Sequence, residues 1–403
     1  MKIYQVGGSV RDKILGRNKF SDRDFVVVNA TVDEFLKKYP CAKKVGSDFP
    51  VFLVDNEEYA FARKEKKVSA GHKGFEIVAD PDVTLEEDLK RRDITINAIA
   101  EDIETGELLD PCNGIKDIDR KRIVHITDAF AEDPLRVYRV ARFGAVFHDF
   151  SIDSSTVKLM NSLKNELEEL PVERVWTECR KALSSEDPAR FFELLVEAGV
   201  LEVHFKEVQK LVKVPAGPQE YHPDDIDTFH HTMKALRRIS DKEKGTDPQI
   251  AFSVLCHDLG KGLTDPENHP HHYGHDKEGV KEVKSFCERL KTPSSYLKCG
   301  TMASRYHLVL GKIKELRPSK AVNVLSELRL FPAGGIEGFL KLVYADSGED
   351  VEELKNFIIK VIPALDVKLP QKWRDRGLKS REIHLQLKAE KYKELKNKDG
   401  RTL

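Results

Sequence analysis

A short apolar run, Ile3-Tyr4-Gln5-Val6, breaks at Gly7-Gly8, resumes in Ser9-Val10-Arg11-Asp12, and leads to two aspartates one residue apart, Asp22 and Asp24. This order constrains the fold more than any other feature of the chain. The run reads as a buried strand ended by the glycine pair. Ser9 is placed to cap the following helix, with Asp12 completing a capping box and Gly16 ending it. A glycine turn opening into a helix offers free backbone N–H groups and the positive end of a dipole, a cradle for phosphate. Arg11, in the first turn, adds a charge-assisted contact. The next strand is read over Asp22-Arg23-Asp24-Phe25-Val26-Val27-Val28. Residues i and i+2 of a strand share a face, roughly 6–7 Å apart. Two carboxylates there can hold a pair of Mg²⁺ ions about 3.5–4 Å apart, the arrangement that clamps an in-line phosphoryl displacement. Either feature alone is common in turns and on solvated strands; their succession favours the metal site.

At 403 residues the chain is too long for one core. It is 40% hydrophobic and 33% charged, with a net charge of −1, so a polyanionic partner must be met by local basic patches. No apolar run reaches the ~20 residues of a membrane helix, and the N-terminus has no signal-peptide pattern, so a cytoplasmic protein is expected. The six cysteines show no C-x-x-C spacing and read as reduced thiols. Up to about residue 125, strand candidates at 2–6, 24–28, 51–54, 58–62 and 75–79 alternate with helical stretches. Beyond Ala129 nearly everything reads helical, starting with 134–147, 154–169, 172–183 and 188–198. Val214-Pro215-Ala216-Gly217-Pro218 marks a linker, and the charge-dense 372–398 reads as a solvated terminal helix.

Two further segments carry chemistry in the first half. In Asp88-Leu89-Lys90-Arg91-Arg92-Asp93 the two arginines can hold a triphosphate or primer phosphate, and Asp93 with Asn97 can read a ribose hydroxyl. In Glu132-Asp133-Pro134-Leu135-Arg136, Asp133 suits an N-cap with proline at N1, and Asp133 and Arg136 can project from one face. A carboxylate accepts hydrogen bonds and a guanidinium only donates them. Cytosine and adenine each present an amino donor beside a ring-nitrogen acceptor, and guanine and uracil the reverse. An Asp/Arg pair therefore accepts C and A and rejects G and U. Arg139 and Arg142 continue along the helix in steps of three.

The four segments Gly7-Gly8-Ser9-Val10-Arg11-Asp12, Asp22-Arg23-Asp24, Arg91-Arg92-Asp93-Ile94-Thr95-Ile96-Asn97-Ala98 and Glu132-Asp133-Pro134-Leu135-Arg136 follow in the order found in class II tRNA nucleotidyltransferases. The chain resembles a bacterial CCA-adding enzyme. The resemblance implies template-independent addition of C, C and A to the tRNA 3′ end from CTP and ATP, with Mg²⁺. It also implies that Asp22 and Asp24 hold metal and that Gly8, Arg11, Arg92, Arg139 and Arg142 contact the nucleotide. Asp133 and Arg136 would act as the protein template.

The second half carries His257-Asp258 at the end of an apolar stretch, with His231 upstream and His271, His272, His275, His307 and Asp346 downstream. Imidazole and carboxylate ligands suit a borderline divalent transition metal. The pattern H…HD…D resembles the HD phosphohydrolase superfamily, which is fused to one subgroup of CCA enzymes. That resemblance implies 2′,3′-cyclic phosphodiesterase, 2′-nucleotidase and phosphatase activities. The implied ligands are His231, His257, Asp258 and Asp346, with His275 and His307 accessory and Ni²⁺ a fitting ion. Gly377-Leu378-Lys379-Ser380 resembles a G-x-x-G element of this subgroup with serine in the last place.

The expected architecture is an α+β palm of mixed sheet and helices over 1–125, followed by an all-α neck and body over 126–215. An all-α HD domain over 221–350 and a helical tail over 351–403 complete it. Expected partners are the tRNA 3′ end, CTP and ATP, with neither DNA nor membrane, in a monomer or homodimer. A poly(A) polymerase of the same superfamily, and an HD phosphohydrolase whose N-terminal part only binds RNA, are the alternatives.

Overall fold

The computed structural model describes residues 1–17, 22–45, 51–67, 75–78, 82–240, 245–374 and 377–398. They divide into two compact units, Met1–Arg174 with Leu194–Val203, and Val175–Glu193 with His204–Leu403.

The first unit carries strands β1 (Lys2–Val6), β2 (Asp24–Val28), β3 (Lys43–Val45), β4 (Val51–Val54), β5 (Glu57–Phe61), β6 (Lys64–Lys67), β7 (Phe75–Val78), β8 (Ala100–Asp102) and β9 (Leu108–Leu109). Among the described residues, β6 pairs with β7, and the other seven form one mixed sheet in the order β3-β4-β5-β2-β1-β8-β9. β2 explains its own composition. Phe25 and Val27 enter a core with Ile3, Phe35, Phe52 and Phe61, while Val26 and Val28 enter another with Tyr4, Val6, Leu89 and Ala98. A strand covered on both faces is a continuous apolar run rather than an alternation.

β2 starts at Asp24 rather than Asp22, because its antiparallel partner β1 ends at Val6, opposite Asp24. There the chain turns at Gly7 with φ 75°, a conformation glycine adopts without strain. Gly7 is then the N-cap of helix Gly8–Ile14, and no side chain caps it. The expected capping box does not form. Ser9 lies inside the first turn, and Asp12 instead accepts from Arg11 Nε at 2.9 Å and Nη2 at 2.8 Å. A buried guanidinium needs its counter-charge more than a short helix needs a cap. Gly16 ends the helix at φ 64°, as expected.

The helix expected to carry Arg136 also starts late. Arg136 N donates to Asp133 O at 2.9 Å and Val137 N to Pro134 O at 3.1 Å, so the entry is a tight i→i−3 turn. The α-helix proper runs Arg136–Val146, with Asp133 Oδ1 accepting from Leu135 N at 3.2 Å.

The second unit is helical. Helix Pro248–Cys256 is capped by Asp247 and buried from Ile250 to Cys256, which is why its sequence is apolar all round. Phe252 stacks on Phe286, with Trp176 and Tyr296 edge-on to it, all within 6 Å between centroids. Burying this helix fixes where His257 and Asp258 emerge. The tail helix Leu378–Lys396 is not simply solvated: Tyr392 is fully buried, with its hydroxyl 3.3 Å from Ile313 O. Ser380, in the place of the usual glycine, donates to Trp373 O at 2.6 Å. All six cysteines are free, and no described helix is long and apolar enough to cross a membrane.

Gly260 lies where the turn after Asp258 meets helix His275–Arg289. A Cβ there would sit 2.0 Å from His275 O and 2.6 Å from Gly279 N. Gly260→Ala must push the turn off the helix, and overpacking of this kind costs about 1–3 kcal/mol. The expected result is a lower urea midpoint for the second unit's unfolding; an unchanged midpoint would show that the two backbones are not pressed together.

Candidate nucleotide site and candidate metal centre

Strand register assembles the first site. Val6, Asp24 and Glu58 are consecutive partners across β1, β2 and β5, so the Gly7-Gly8 turn lies beside Asp24, with Glu58 on the other side. Glu58 was not legible as a site residue, since only the parallel pairing of β2 with β5 brings it there. Asp22 precedes the strand, and both aspartates are exposed as residues. The protein around the Asp24 carboxyl nevertheless withdraws solvent from it. That desolvation, then the charge of Glu58 and more weakly that of Asp22, raise its pKa against the pull of Arg92. Carboxylates that resist their shared charge fit a hard divalent cation.

Arginines surround this end of the sheet. Asp88 is buried and takes Arg91 Nη2 at 2.6 Å on Oδ1 and Arg92 Nη2 at 3.2 Å on Oδ2. Arg92 Nη1 comes within 3.3 Å of the position a Gly7 Cβ would take, and Arg92 Nε is buried without a hydrogen-bond partner. An unsatisfied buried donor against a glycine turn fits an anionic ligand. Asp93 and Asn97 serve the scaffold rather than facing a ribose alone. Arg11 Nη1 donates to Asn97 Oδ1 at 2.5 Å, Asn97 Nδ2 to Asp93 Oδ1 at 3.1 Å, and Arg139 Nε to Asp93 Oδ2 at 2.8 Å. Burial opposes ionisation of Asp93, but Arg139 and Asn97 outweigh it and hold the carboxyl far below its ordinary value. Arg142 lies 4.1 Å above the Phe143 ring, and Arg11 4.8 Å above Phe147.

Asp133 and Arg136 sit one turn apart and do not pair with each other. Arg136 is buried and donates through Nη1 to Ala129 O at 2.7 Å and through Nη2 to Arg91 O at 2.6 Å. Asp133 Oδ2 is held by Arg174 Nη2 at 2.9 Å, a partner that the sequence pattern did not reveal.

The second site gathers all four expected ligands. His231 Nε2 lies 3.1 Å from Asp346 Oδ1 and 3.9 Å from Asp258 Oδ2. His257 Nε2 lies 3.2 Å from Asp258 Oδ2 and 3.5 Å from Asp346 Oδ1. Five helical elements deliver the site, with Asp346 coming from helix Gly335–Ser347 and His307 from helix Ser294–Gly311. His231 Nδ1 donates to Asp225 Oδ2 at 2.9 Å, which fixes the tautomer so that Nε2 faces the site. Asp225 is the orienting carboxylate that the sequence reading missed. Of the other histidines, His272 is spent on Pro215 O and Thr264 Oγ1, each at 2.7 Å, and His271 stacks beside Tyr273.

Burial pushes the His257 imidazole down, but Asp258 and Asp346 outweigh it and raise the pKa to about 10. Both carboxyls resist burial in turn and lie well below their ordinary range, Asp258 through Lys261 and His257, Asp346 through His257 and His231. His257 Nε2 and both Asp258 oxygens are buried without an aligned hydrogen bond; Lys261 Nζ, 2.7 Å from Asp258 Oδ2, neutralises it only as an ion pair. Buried ring nitrogens and carboxylate oxygens converging on one space fit a divalent cation, and two imidazoles with two carboxylates suit a borderline one. Among the described residues, every group of three or more potential ligands within 4.8 Å lies in this unit.

The Poly A polymerase head domain family matches residues 3–124, and the family described as probable RNA and SrmB-binding site of polymerase A matches residues 149–211. A multifunctional CCA protein of Nitrosococcus oceani is 45% identical over 352 residues, 86% of this chain and 84% of its own length. One from Mannheimia succiniciproducens is 44% identical over 337 residues, 81% and 79% of the two chains. In structure, the chain resembles the Bacillus stearothermophilus CCA-adding enzyme solved with CTP, at a TM-score of 0.65 and 23% identity, covering 98% of this chain and 89% of that one. A CCA-adding enzyme solved with ATP gives 0.64 at 19% identity, covering 99% and 89%.

The raised Asp24 carboxyl sets a testable sign. In the metal-free protein its ionised form is disfavoured, so Asp24→Asn should raise the melting temperature at neutral pH. The gain should fade as the pH falls and the wild-type carboxyl protonates. A variant that melts lower than wild type at neutral pH without metal would contradict the crowding of Asp24 by Glu58 and Asp22.

Proposed function

The chain belongs to the family of multifunctional CCA proteins, and we propose that it adds C, C and A to the 3′ end of tRNA from CTP and ATP. The observation that carries the reading is the convergence of Gly7-Gly8, Asp24, Glu58 and Arg92 at one end of a mixed sheet. In the reaction the tRNA 3′ hydroxyl attacks the α-phosphorus, the P–O bond to the leaving group breaks, and pyrophosphate departs. Asp22 and Asp24 would hold Mg²⁺, which supplies charge neutralisation at the transferring phosphoryl group. The turn at Gly8 and the Arg11 and Arg92 guanidiniums take the triphosphate, while Arg139 and Arg142 flank it from the helix. Asp133 and Arg136 read the Watson–Crick edge, accepting the amino donor and donating to the ring nitrogen of C or A. The carbonyls of Ala129 and Arg91 fix the Arg136 plane for that task, and Arg174 fixes Asp133. The names of the relatives favour CCA addition over poly(A) synthesis.

The second unit supports a separate activity, a divalent-metal-dependent phosphohydrolase acting on 2′,3′-cyclic and 2′-phosphates. His231, His257, Asp258 and Asp346 would hold the ion, with Ni²⁺ among those that suit them. When bound, the metal lowers the pKa of a water so that hydroxide is available near neutral pH. Asp225 orients His231 for this role.

Labelled CTP and ATP with a tRNA lacking its last three nucleotides test the first reading. Wild type should extend it by three and stop, and Asp22→Ala or Asp24→Ala should abolish extension while tRNA binding stays near normal. Substantial incorporation by either variant at saturating Mg²⁺ would sink the metal assignment.

The two activities should separate. His257→Ala should remove hydrolysis of 2′,3′-cyclic nucleotides in the presence of Ni²⁺, Co²⁺, Mn²⁺ or Mg²⁺ and leave CCA addition largely intact. No hydrolysis by wild type with any of the four ions would refute the hydrolase reading.

A further inference from the structure

Two loops at the edge of the candidate metal centre present a surface that metal ligation does not explain. Loop 215–227 runs into the helix Thr228–Ile239, which carries His231, and loop 264–274 runs into the helix His275–Arg289. Residues of each loop divide between inside and outside. On the first, Asp225 turns in to hold His231, and the His222 ring meets the His231 ring edge-on at 4.8 Å between centroids. Tyr221 and Ile226, the next residues along the chain from these two, are 73% and 83% exposed. On the second loop His272 is buried, whereas Tyr273 is 76% exposed and His271 is exposed beside it.

Large apolar side chains scattered singly over a surface need no explanation. Leu308 and Ile359, which belong to different helices of this unit, are of that kind. Tyr221, Ile226 and Tyr273 are not scattered, because the loops that carry them are fastened together. His272 Nε2 donates to Pro215 O at 2.7 Å, and Lys261, in the turn just before the second loop, donates through Nζ to Ala216 O at 2.6 Å. The His271 and Tyr273 rings are nearly parallel, with an interplanar angle of 18° and 5.7 Å between centroids, so they form a flat step that stands largely in solvent. A rim held in place before a ligand arrives loses little entropy on binding one.

We propose that Tyr273, extended by His271, is the platform on which the second unit stacks the nucleobase of its substrate, with Tyr221 and Ile226 adding apolar surface at the same rim. The inference rests on the hydrolase reading of this unit and deepens it, making the substrate the terminal nucleotide of an RNA rather than any phosphoester. In a 2′-phosphate or a 2′,3′-cyclic phosphate the base lies across the ribose from the phosphorus. With the phosphate at the ion, the base must leave the pocket over its rim. Every base has a π-face, so stacking holds an end of any sequence, whereas hydrogen-bond readout would select one. The rim offers rings and an aliphatic side chain for that purpose, and its inward polar groups are already committed: Asp225 Oδ2 accepts from His231 Nδ1 at 2.9 Å and from His222 Nδ1 at 3.0 Å.

The test compares two phosphomonoesters, 2′-AMP and glycerol 2-phosphate, which has no ring to stack. Full-length protein is assayed with whichever of Ni²⁺, Co²⁺, Mn²⁺ and Mg²⁺ supports hydrolysis. Tyr273→Ala should raise the KM for 2′-AMP roughly 5- to 150-fold, the loss of one stacked base, and leave kcat near the wild-type value. Tyr273→Phe, which keeps the ring, should keep the wild-type KM. For glycerol 2-phosphate the KM should be the same in wild type and both variants; where its turnover is too slow to follow, its inhibition constant against 2′-AMP takes the place of KM. An unmoved KM for 2′-AMP in Tyr273→Ala would overturn the proposal and leave the hydrolase reading standing. An equal rise for both esters would also overturn it, since the loop would then only shape the metal pocket. Wild type that hydrolyses neither ester with any of the four ions would remove the hydrolase reading and the proposal with it.

Discussion

A carboxylate without water is tolerated only where each lone pair is met, and Asp93 meets that condition by tying three parts of the first unit together. It accepts from Ile94 N at 2.9 Å, from Asn97 Nδ2, and from two nitrogens of Arg139, while Asn97 in turn receives Arg11. The helix after the glycine turn, the 3-10 turn Thr95–Asn97 and the helix Arg136–Val146 are therefore set by one buried charge. Removing one partner from such a network leaves the others unpaired in a medium of low dielectric, which costs far more than the bond itself. The proposed phosphate cradle and the proposed base reader depend on this shared anchor for their spacing. Arg11 and Arg139 are not free cations waiting for a ligand. They are already committed on one side, which fixes where the rest of each guanidinium can act.

Asp258 has the opposite character. It is as buried as Asp93, yet its two oxygens are left without aligned hydrogen bonds and the nearest groups are imidazole nitrogens and one ammonium. A fold does not leave such a group unsatisfied for stability's sake. The completed network at Asp93 belongs to scaffolding, and the incomplete one at Asp258 fits the proposed ion site. The same comparison separates Asp225, whose hydrogen bonds are made, from the ligands it orients.

What the sequence revealed was local in origin. The glycine turn, the paired aspartates, the Asp133/Arg136 spacing and the His257-Asp258 step each lie within a few residues, and the strands at 2–6, 24–28 and 51–54 follow from apolar runs between breakers. What it concealed depends on contacts between distant segments. Glu58 reaches Asp24 only through the register of β2 with β5, and Arg174 reaches Asp133 across 41 positions. Asp225 gives no signal until His231 is folded against it. Local rules also lost where burial competed with them. Ser9 and Asp12 have the spacing of a capping box, but the buried Arg11 takes Asp12 instead, and the charge-dense tail is held by one buried tyrosine.

The two proposed sites also differ in the ions that their donors suit. The first presents carboxylates on exposed residues, a donor set of hard oxygens in which desolvation, and after it the charge of Glu58, lifts the Asp24 pKa. Such a site suits an ion that keeps its waters and arrives with its substrate. In the second site imidazoles predominate, their outer nitrogens held by backbone carbonyls at His257, His275 and His307 and by Asp225 at His231. Those outer bonds are made within the fold itself, so the other nitrogen of each ring is turned toward the site. Burial disfavours a proton at His307, where it outweighs the pull of Asp258 and Asp346 and lowers the pKa to about 4. At His257 the charges of Asp258 and Asp346 outweigh burial and raise the pKa to about 10. Donor type, burial and the direction of each hydrogen bond therefore suit different ions at the two proposed sites, although the chain as a whole carries a net charge of only −1.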